Sequence, residues 1–316
     1  MLSRKEKLFA RQHFFFTCHC GILSSIVVNI SSGIQRKGVK NMSDYIIAVI
    51  LGIVEGVTEY LPVSSTGHMI LVGDMLGFTG PRASVFEVFI QLGAILSVIV
   101  IYKEKFIRML HQYRCWDLFR RENWFRTDTG LTLAHVAAGI VPVMGIGYLA
   151  HHAIKTYLFS AGTVIIGLII GGIFMLVAEK SHTKTVCNDV EKMTIAQAFL
   201  TGMFQILALW PGFSRSGSTI AGGLFLGLSR KAAADFSFII AVPVMIVACF
   251  YDLLKSLSDL SGNDLVMIVI GFITAFIVAY ISVLWFLKFM NKSTLASFAY
   301  YRFVVAVISF VYFFIL

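Results

Sequence analysis

Acidic, hydroxyl and imidazole side chains crowd into fourteen consecutive residues of an otherwise apolar region. Those that could do chemistry are Glu55, Glu59, Ser64, Ser65, Thr66 and His68. An ionisable side chain at membrane depth costs at least ~2.5–3.5 kcal/mol to insert, so it usually has a functional role. Glu55 and Glu59 are four residues apart and would repel each other on one face of a helix. This repulsion predicts a positive partner, which is a metal ion, a basic side chain or a shared proton.

A second polar break, at residues 210–219, offers the basic side chain. Its polar residues are Ser214, Arg215, Ser216, Ser218 and Thr219. The guanidinium of Arg215 is a planar fork suited to two-point contact with phosphate. Both breaks contain a proline and open a helix, whose first N–H groups form an anion site. The residue types therefore favour phosphoryl chemistry, in which the carboxylates hold a divalent cation and a serine or a histidine attacks phosphorus.

His68 is the histidine that could take part. It follows Ser64 by four residues and Ser65 by three, so we expect its ring to couple with one of their hydroxyls on one helical face. The residues alone leave open which of the three side chains is the nucleophile.

The composition is that of a polytopic helical membrane protein. The 316 residues are 58% hydrophobic and only 14% charged, whereas soluble domains carry about 25% charged residues. Long apolar runs favour helices over a barrel, whose strands alternate. The net charge of +9 is concentrated in loops, so we expect it to mark cytoplasmic loops rather than nucleic-acid binding. The five cysteines are scattered and predict no metal site of their own.

Six apolar runs are long enough to cross a bilayer, and four more are too short. We predict spans at 86–102, 131–150, 160–178, 236–254, 265–287 and 298–315. The short runs flank the two polar breaks, at 45–54, 69–78, 198–209 and 220–228. A span needs about 20 residues. Each pair of short helices therefore predicts a re-entrant hairpin, whose irregular backbone must be buried or line a cavity.

The two halves of the chain repeat each other at a shift of 150 residues. The matched pairs are Gly52/Gly202, Glu55/Gln205, Ser64/Ser214, Thr66/Ser216 and Gly67/Gly217. Paired interrupted helices in corresponding positions indicate a binding site near the middle of the membrane. We divide the chain into an N-terminal extension at 1–41, a first repeat at 42–178, a cytoplasmic linker at 179–194 and a second repeat at 195–316. We expect the extension to have no catalytic role and to be either non-native or dispensable.

Loop charge orients the two repeats. The loop at 103–126 holds seven Lys or Arg residues against three acids, which predicts that it is cytoplasmic. Three spans per half then invert the second half relative to the first. The predicted fold class is therefore an all-α integral membrane protein with six transmembrane helices and two re-entrant helical hairpins in an inverted repeat. One hairpin enters from each side, which would bring Arg215 beside Glu55 and Glu59.

At these residues the sequence resembles a known family, the bacterial undecaprenyl-diphosphate phosphatases of the bacitracin-resistance type. The first signature, Glu-Gly-x-Thr-Glu-x-Leu-Pro-Val-Ser-Ser-Thr-Gly-His, runs from Glu55 to His68. The second, Pro-Gly-x-Ser-Arg-Ser-Gly-x-Thr, runs from Pro211 to Thr219. The similarity extends from Met42 to the C-terminus. It implies hydrolysis of undecaprenyl diphosphate to undecaprenyl phosphate and inorganic phosphate, which recycles the lipid carrier for peptidoglycan and confers bacitracin resistance.

The resemblance also implies roles for the site residues. Glu55 and Glu59 would bind Mg2+ or Ca2+ or act as base, and Arg215 would hold the diphosphate. Ser65 would be the nucleophile or activate one, with His68 as the rival candidate or proton donor. Together with the residue chemistry, this predicts a substrate-binding set of Ser64, Thr66, Gln91, Ser214, Arg215, Ser216 and Thr219. The resemblance further implies a multi-pass protein of the bacterial inner membrane, able to form a homodimer, with its site open to the periplasm.

The same features leave two other classes of protein open. Inverted repeats with broken helices are also typical of secondary transporters. A transporter or lipid flippase for an anionic substrate could use the two glutamates for a coupling ion and Arg215 for the anion. The hydroxyl and histidine cluster discriminates between the two, because transport does not require it. A purely structural scaffold would leave the buried charges unexplained.

Overall fold

The structure, a computed structural model, describes residues 44–112, 114–158, 160–256 and 264–316. The predicted N-terminal extension at 1–41 lies outside these residues. Within the described ranges the fold is all-helical and contains no strand beyond one isolated parallel bridge between Cys187 and Leu228. The α-helices are α1 Asp44–Thr58, α2 Ser65–Met75, α3 Pro81–Ile101, α4 Lys103–Gln112, α5 Leu133–Tyr157, α6 Ala161–Ser181, α7 Ile195–Gln205, α8 Arg215–Phe225, α9 Arg230–Ser256, α10 Asp264–Met290 and α11 Ala296–Phe314. Short 3-10 helices occupy Arg114–Phe119, Arg121–Asn123, Val190–Lys192 and Ile206–Leu209.

Six of these helices are long and apolar enough to cross a membrane. They are α3, α5, α6, α9, α10 and α11, which confirms the six predicted spans. Several extend beyond the predicted limits. For example, α9 begins at Arg230 rather than 236, and α5 continues to Tyr157 rather than 150. The apolar run marks only the part of a helix that needs an oily environment, whereas its backbone hydrogen bonds continue into the polar ends.

The four short helices form two pairs, α1 with α2 and α7 with α8. Residues 59–64 join the first pair and are called the first turn; residues 206–214 join the second pair and are called the second turn. Among the described residues, Ser64 and Ser214 are the non-glycine residues with positive φ, at 73° and 75°. Each ends its turn as a helix N-cap, and its hydroxyl accepts the N–H of Gly67 or Gly217 at 3.4 and 3.1 Å. The two turns therefore close in the same way.

Each incoming short helix packs against a long helix that lies far away in sequence. Helix α1 packs on α10 and α7 packs on α5, with glycines at both crossings. A Cβ atom on Gly52 would lie 2.8 Å from the Gly271 carbonyl oxygen, and one on Gly202 would lie 2.2 Å from that of Gly139. Only glycine permits backbones to approach this closely. Packing therefore ties the short helix pair of each half to the other half of the chain.

The second turn rests on α6. A Cβ atom on Gly167 would lie 2.5 Å from the Pro211 carbonyl oxygen, and one on Gly171 would lie 2.6 Å from that of Phe213. Helix α6 in turn packs on α11. The long helices thus fix the position of the second turn, which Arg215 directly follows.

Candidate active site

The two turns meet at the carboxylate of Glu59. Arg215 Nη2 lies 3.2 Å from Glu59 Oε1, and the two side chains are only 14% and 7% exposed. Ser65 donates its hydroxyl hydrogen bond to the other oxygen, Oε2, at 2.5 Å. The structure thus brings together three of the predicted residues from two distant segments. Glu59 holds a guanidinium with one oxygen and a hydroxyl with the other.

A second hydrogen bond fastens the turns to each other. Ser216, at the start of α8, donates its hydroxyl to the backbone carbonyl of Leu61 in the first turn at 3.0 Å. Its oxygen also lies 3.2 Å from the hydroxyl of Ser214. Both serines are buried. These two predicted substrate-binding hydroxyls are therefore used within the protein, where they align the turns.

The guanidinium of Arg215 is held on a second side by α9 and by an aromatic ring. Its Nη1 donates to the Ser237 carbonyl at 3.3 Å, and its Cζ lies 5.6 Å from the ring centroid of Tyr60. Its Nε is buried without a hydrogen-bond partner among the described residues. The predicted Thr219 does not face this guanidinium, because its hydroxyl donates to the Arg215 backbone carbonyl at 2.5 Å. A ligand could therefore bind to the unused Nε–H of Arg215.

Glu55 lines a cavity of about 650 Å³. Its side chain is buried, and its Oε1 has no hydrogen-bond partner among the described residues. The predicted residues that line the cavity are Glu55, Ser65, Thr66 and Gln91. The cavity also has three acidic lining residues outside the predicted site set: Asp74, Glu87 and Asp252. A cavity of this volume is in the range that holds small ligands.

Gln91, predicted to bind substrate, lies on α3 at the wall of this cavity. Its side-chain oxygen accepts from the Cys249 thiol at 3.5 Å. Glu87, one helical turn earlier, lines the same cavity, as expected for an acid on the same face of the same apolar span.

His68 does not couple with a serine hydroxyl. Its Nδ1 lies 2.8 Å from the Ser64 backbone carbonyl and its Nε2 lies 2.9 Å from the Tyr301 hydroxyl. The ring stacks on Tyr301 with centroids 5.6 Å apart. Among the described residues it makes no hydrogen bond to Ser65. His68 does contact the residue four positions earlier, but it bonds to the backbone carbonyl of Ser64 rather than to its hydroxyl. This is expected for a side chain that lies back over the preceding helical turn.

Arg302 is a site-supporting residue that the sequence reasoning missed. It lies in α11 and is completely buried. Its Nη2 donates to the Gly212 carbonyl of the second turn at 2.8 Å and to the Gly167 carbonyl of α6 at 3.1 Å, and its Nε donates to Leu168. An arginine inside the apolar run at 298–315 was the available signal, because charged residues in spans are rarely without a role.

The carboxylates fit a divalent cation only in part. Among the described residues no group of three or more His, Cys, Asp or Glu side chains could hold a metal ion by itself. Mg2+, however, is usually bound through one or two carboxylates together with substrate phosphates and water. The unpartnered oxygen of Glu55 in the cavity suits such a shared site. The donor set therefore fits a cation that the phosphates of a ligand complete.

Comparison with known proteins gives the family. The family described as bacitracin resistance protein BacA matches residues 48–308. Undecaprenyl-diphosphatase 1 of Bacillus thuringiensis (strain Al Hakam) is 48% identical over 267 residues, which cover 84% of this chain and 97% of that protein. The proteins of the same name from Bacillus cereus and Bacillus anthracis are 49% and 48% identical over the same coverage. Because the match spans most of the chain, the chain belongs to the bacitracin resistance protein BacA family.

Proposed function

We propose that this protein hydrolyses undecaprenyl diphosphate to undecaprenyl phosphate and inorganic phosphate. The observation that carries the proposal is the contact between Arg215, Glu59 and Ser65 beside a cavity in a helical membrane protein. The names of the relatives support the same substrate. The activity would regenerate the lipid carrier of peptidoglycan synthesis and confer bacitracin resistance, since it removes the diphosphate form.

The diphosphate would bind in the cavity beside Glu55 and Ser65, which line it. Glu55 has an unused carboxylate oxygen, and Arg215, joined to Ser65 through Glu59, has an unused Nε–H. We infer that Glu55 and Glu59 hold Mg2+ or Ca2+ with the phosphate oxygens of the substrate. When bound, such a cation neutralises charge on the phosphates and favours departure of the leaving group. The hydroxyls of Ser64 and Ser214 cap the helices whose N-termini face the site, which keeps those N–H groups in place.

Ser65 is the proposed nucleophile and Glu59 its base, because their hydrogen bond is in the range expected for such a pair. Ser65 Oγ attacks the terminal phosphorus, its proton passes to Glu59, and the bridging P–O bond breaks to release undecaprenyl phosphate. Water then attacks the phosphoserine and the bond between the serine oxygen and phosphorus breaks. Glu59 returns its proton to the serine oxygen, and both protons of the water leave with the product as dihydrogen phosphate. A transporter or flippase would need no hydroxyl paired with a carboxylate, so this contact favours hydrolysis over transport.

The two helix pairs are proposed to be re-entrant hairpins of an inverted repeat. Three matched features support this at the shift of 150 residues: left-handed serines before α2 and α8, left-handed glycines after them at Gly77 and Gly227, and glycine crossings of α1 on α10 and α7 on α5. One hairpin would enter from each side of the membrane, and the two turns would meet between the two membrane faces.

The orientation follows from loop charge. We propose that the basic loop at 103–126 faces the cytoplasm, that the protein resides in the bacterial inner membrane, and that the cavity opens to the periplasm. A homodimer stays a prediction, which the mass of the detergent-solubilised protein would check.

Phosphate release tests the function directly. Purified protein in detergent with Mg2+ or Ca2+ is expected to release phosphate from undecaprenyl diphosphate, and a chelator or the substitution Arg215→Ala should abolish release. Wild-type protein that is folded yet inactive with either cation would contradict the proposal. Phosphate release that a chelator does not affect would support hydrolysis but exclude a role for the divalent cation.

A further inference from the structure

Two adjacent residues of α11 reach the two turns that form the site. Arg302 is hydrogen-bonded directly to the second turn, at the Gly212 carbonyl. Tyr301 reaches the first turn through His68, whose ring lies between the Tyr301 hydroxyl and the Ser64 carbonyl. The two turns are far apart in sequence, yet one helix holds both. Helix α11 therefore holds the two turns in position relative to each other.

The direction of the hydrogen bonds through His68 follows from its partners. A backbone carbonyl can only accept, so the Nδ1 that contacts Ser64 carries a hydrogen. In the neutral ring Nε2 is then an acceptor, and the Tyr301 hydroxyl donates to it. Both ring nitrogens are thus engaged in a chain from Tyr301 through His68 to Ser64. A ring held in this way has no free nitrogen to take a proton from Ser65.

The end point of this chain is a strained residue next to the proposed nucleophile. Ser64 has φ 73°, a region that non-glycine residues occupy only when their surroundings impose it. Ser65 follows immediately, and its hydroxyl must point to Glu59 Oε2. Any rotation of the Ser64 peptide would turn Ser65 away from its base. The Ser64 carbonyl accepts two hydrogen bonds from His68, one from the backbone N–H at 3.4 Å and a shorter one from ring Nδ1 at 2.8 Å, so the buried ring strengthens the hold on this peptide.

We propose that Tyr301 is a positioning residue for catalysis, acting through His68 to hold the Ser64–Ser65 peptide in its reactive orientation. This inference rests on the proposed function and deepens it, because it gives His68 a structural part in the reaction and leaves attack on phosphorus to Ser65. Tyr301 is 47% exposed, so its hydroxyl can be removed without opening a cavity in the core.

The test is Tyr301→Phe, with Tyr300→Phe as the matched control. Tyr300 is the neighbouring tyrosine on α11, 61% exposed, and its ring packs on Phe303. We expect Tyr301→Phe to lower kcat for polyprenyl diphosphate hydrolysis by about 10-fold, the scale of one lost hydrogen bond at the transition state. KM and the apparent Tm should stay at their wild-type values, and the control should leave all three unchanged.

A double-mutant cycle tests whether the effect of Tyr301→Phe on kcat depends on His68. In a His68→Asn background, Tyr301→Phe should cause no further loss, because the hydroxyl has no ring nitrogen to orient. Full loss in that background, or a Tyr301→Phe enzyme equal to wild type, would overturn the proposal. Recovery of an acid-labile phosphohistidine from turnover would also overturn it, because His68 would then be the nucleophile.

Nitrogen NMR of histidine-labelled protein provides a readout independent of activity. The His68 signals, identified by their loss in His68→Asn, should show one protonated and one unprotonated ring nitrogen. Only the unprotonated signal should shift in Tyr301→Phe. Two protonated nitrogens would contradict the assigned direction of the chain. An inactive wild-type enzyme with the expected His68 spectrum would refute the proposed function while leaving the hydrogen-bond chain intact.

Discussion

The first and second turns end in the same backbone conformation, but the side chains that they bring to the site carry opposite charges. Both end in a left-handed serine that caps a helix. The residue that follows this serine is Ser65 after the first turn and Arg215 after the second, and these two side chains meet on Glu59. The comparison teaches that one backbone conformation can present different side chains. The first pair of short helices carries the acids and the proposed nucleophile, and the second pair carries the arginine.

The incoming helices show the same divergence. Glu55 on α1 and its counterpart Gln205 on α7 are both buried and both have polar atoms without a hydrogen-bond partner among the described residues. Glu55 lines the cavity, and Gln205 is absent from its lining. A second carboxylate at Gln205 would add a buried charge outside this cavity, which is costly. The charge is therefore kept on the side of the molecule that a ligand can reach.

The largest expected effect is that of Ser65→Ala. Loss of the nucleophile should lower kcat by at least about 1,000-fold, because the remaining groups cannot form the covalent intermediate. Phosphate release measures it, and Ser97→Ala is the control, since Ser97 is a buried serine whose hydroxyl donates to the Ala94 carbonyl of the same helix. A loss under 10-fold would indicate that water or His68, rather than Ser65, attacks phosphorus.

Next in size is Arg215→Lys. We expect kcat/KM to fall by about 100-fold, or about 2.7 kcal/mol, because an ammonium lacks the fork that contacts Glu59, Ser237 and the ligand together. The control is Arg82→Lys, which conserves the charge at an arginine that pairs with Asp44 and Asp264. Near-normal activity of Arg215→Lys would indicate that Arg215 only balances the charge of the glutamates.

Glu55→Gln tests the difference between the two incoming helices and should have an intermediate effect. The variant carries the same residue type that Gln205 has in α7. We expect the Mg2+ concentration for half-maximal activity to rise by about 10-fold, because one charged ligand is lost. Glu104→Gln, at an exposed acid of α4, is the control. An unchanged metal dependence would separate Glu55 from cation binding.

The smallest effects are expected at the two capping serines. Ser64→Ala and Ser214→Ala should each lower stability by about 1 kcal/mol through loss of the cap, and Ser→Gly at either position should cost only about a few tenths. The apparent Tm in detergent measures this. Equal shifts at both positions would support equivalent scaffolds, whereas a shift at only one would mean that the turns are stabilised by different means.

The sequence by itself determined the helical class, the six spans, the positions of the two breaks and the set of reactive side chains. These depend on local properties: run length against bilayer thickness, prolines, and the cost of placing charge in apolar surroundings. It also indicated the pairing of Arg215 with Glu59, through the internal repeat and the charges. Helix ends were less predictable, because hydropathy does not mark where backbone hydrogen bonding stops.

Only the tertiary structure decided which hydroxyls face the site and what holds the turns. Ser216 and Thr219 bond to backbone carbonyls, and His68 turns towards Tyr301, 233 residues away. Side-chain spacing restricts which residues share a helical face, but it carries no information about a partner on a distant helix. The alignment of the two turns by α11 depends on such partners, so it emerges only when the helices are packed.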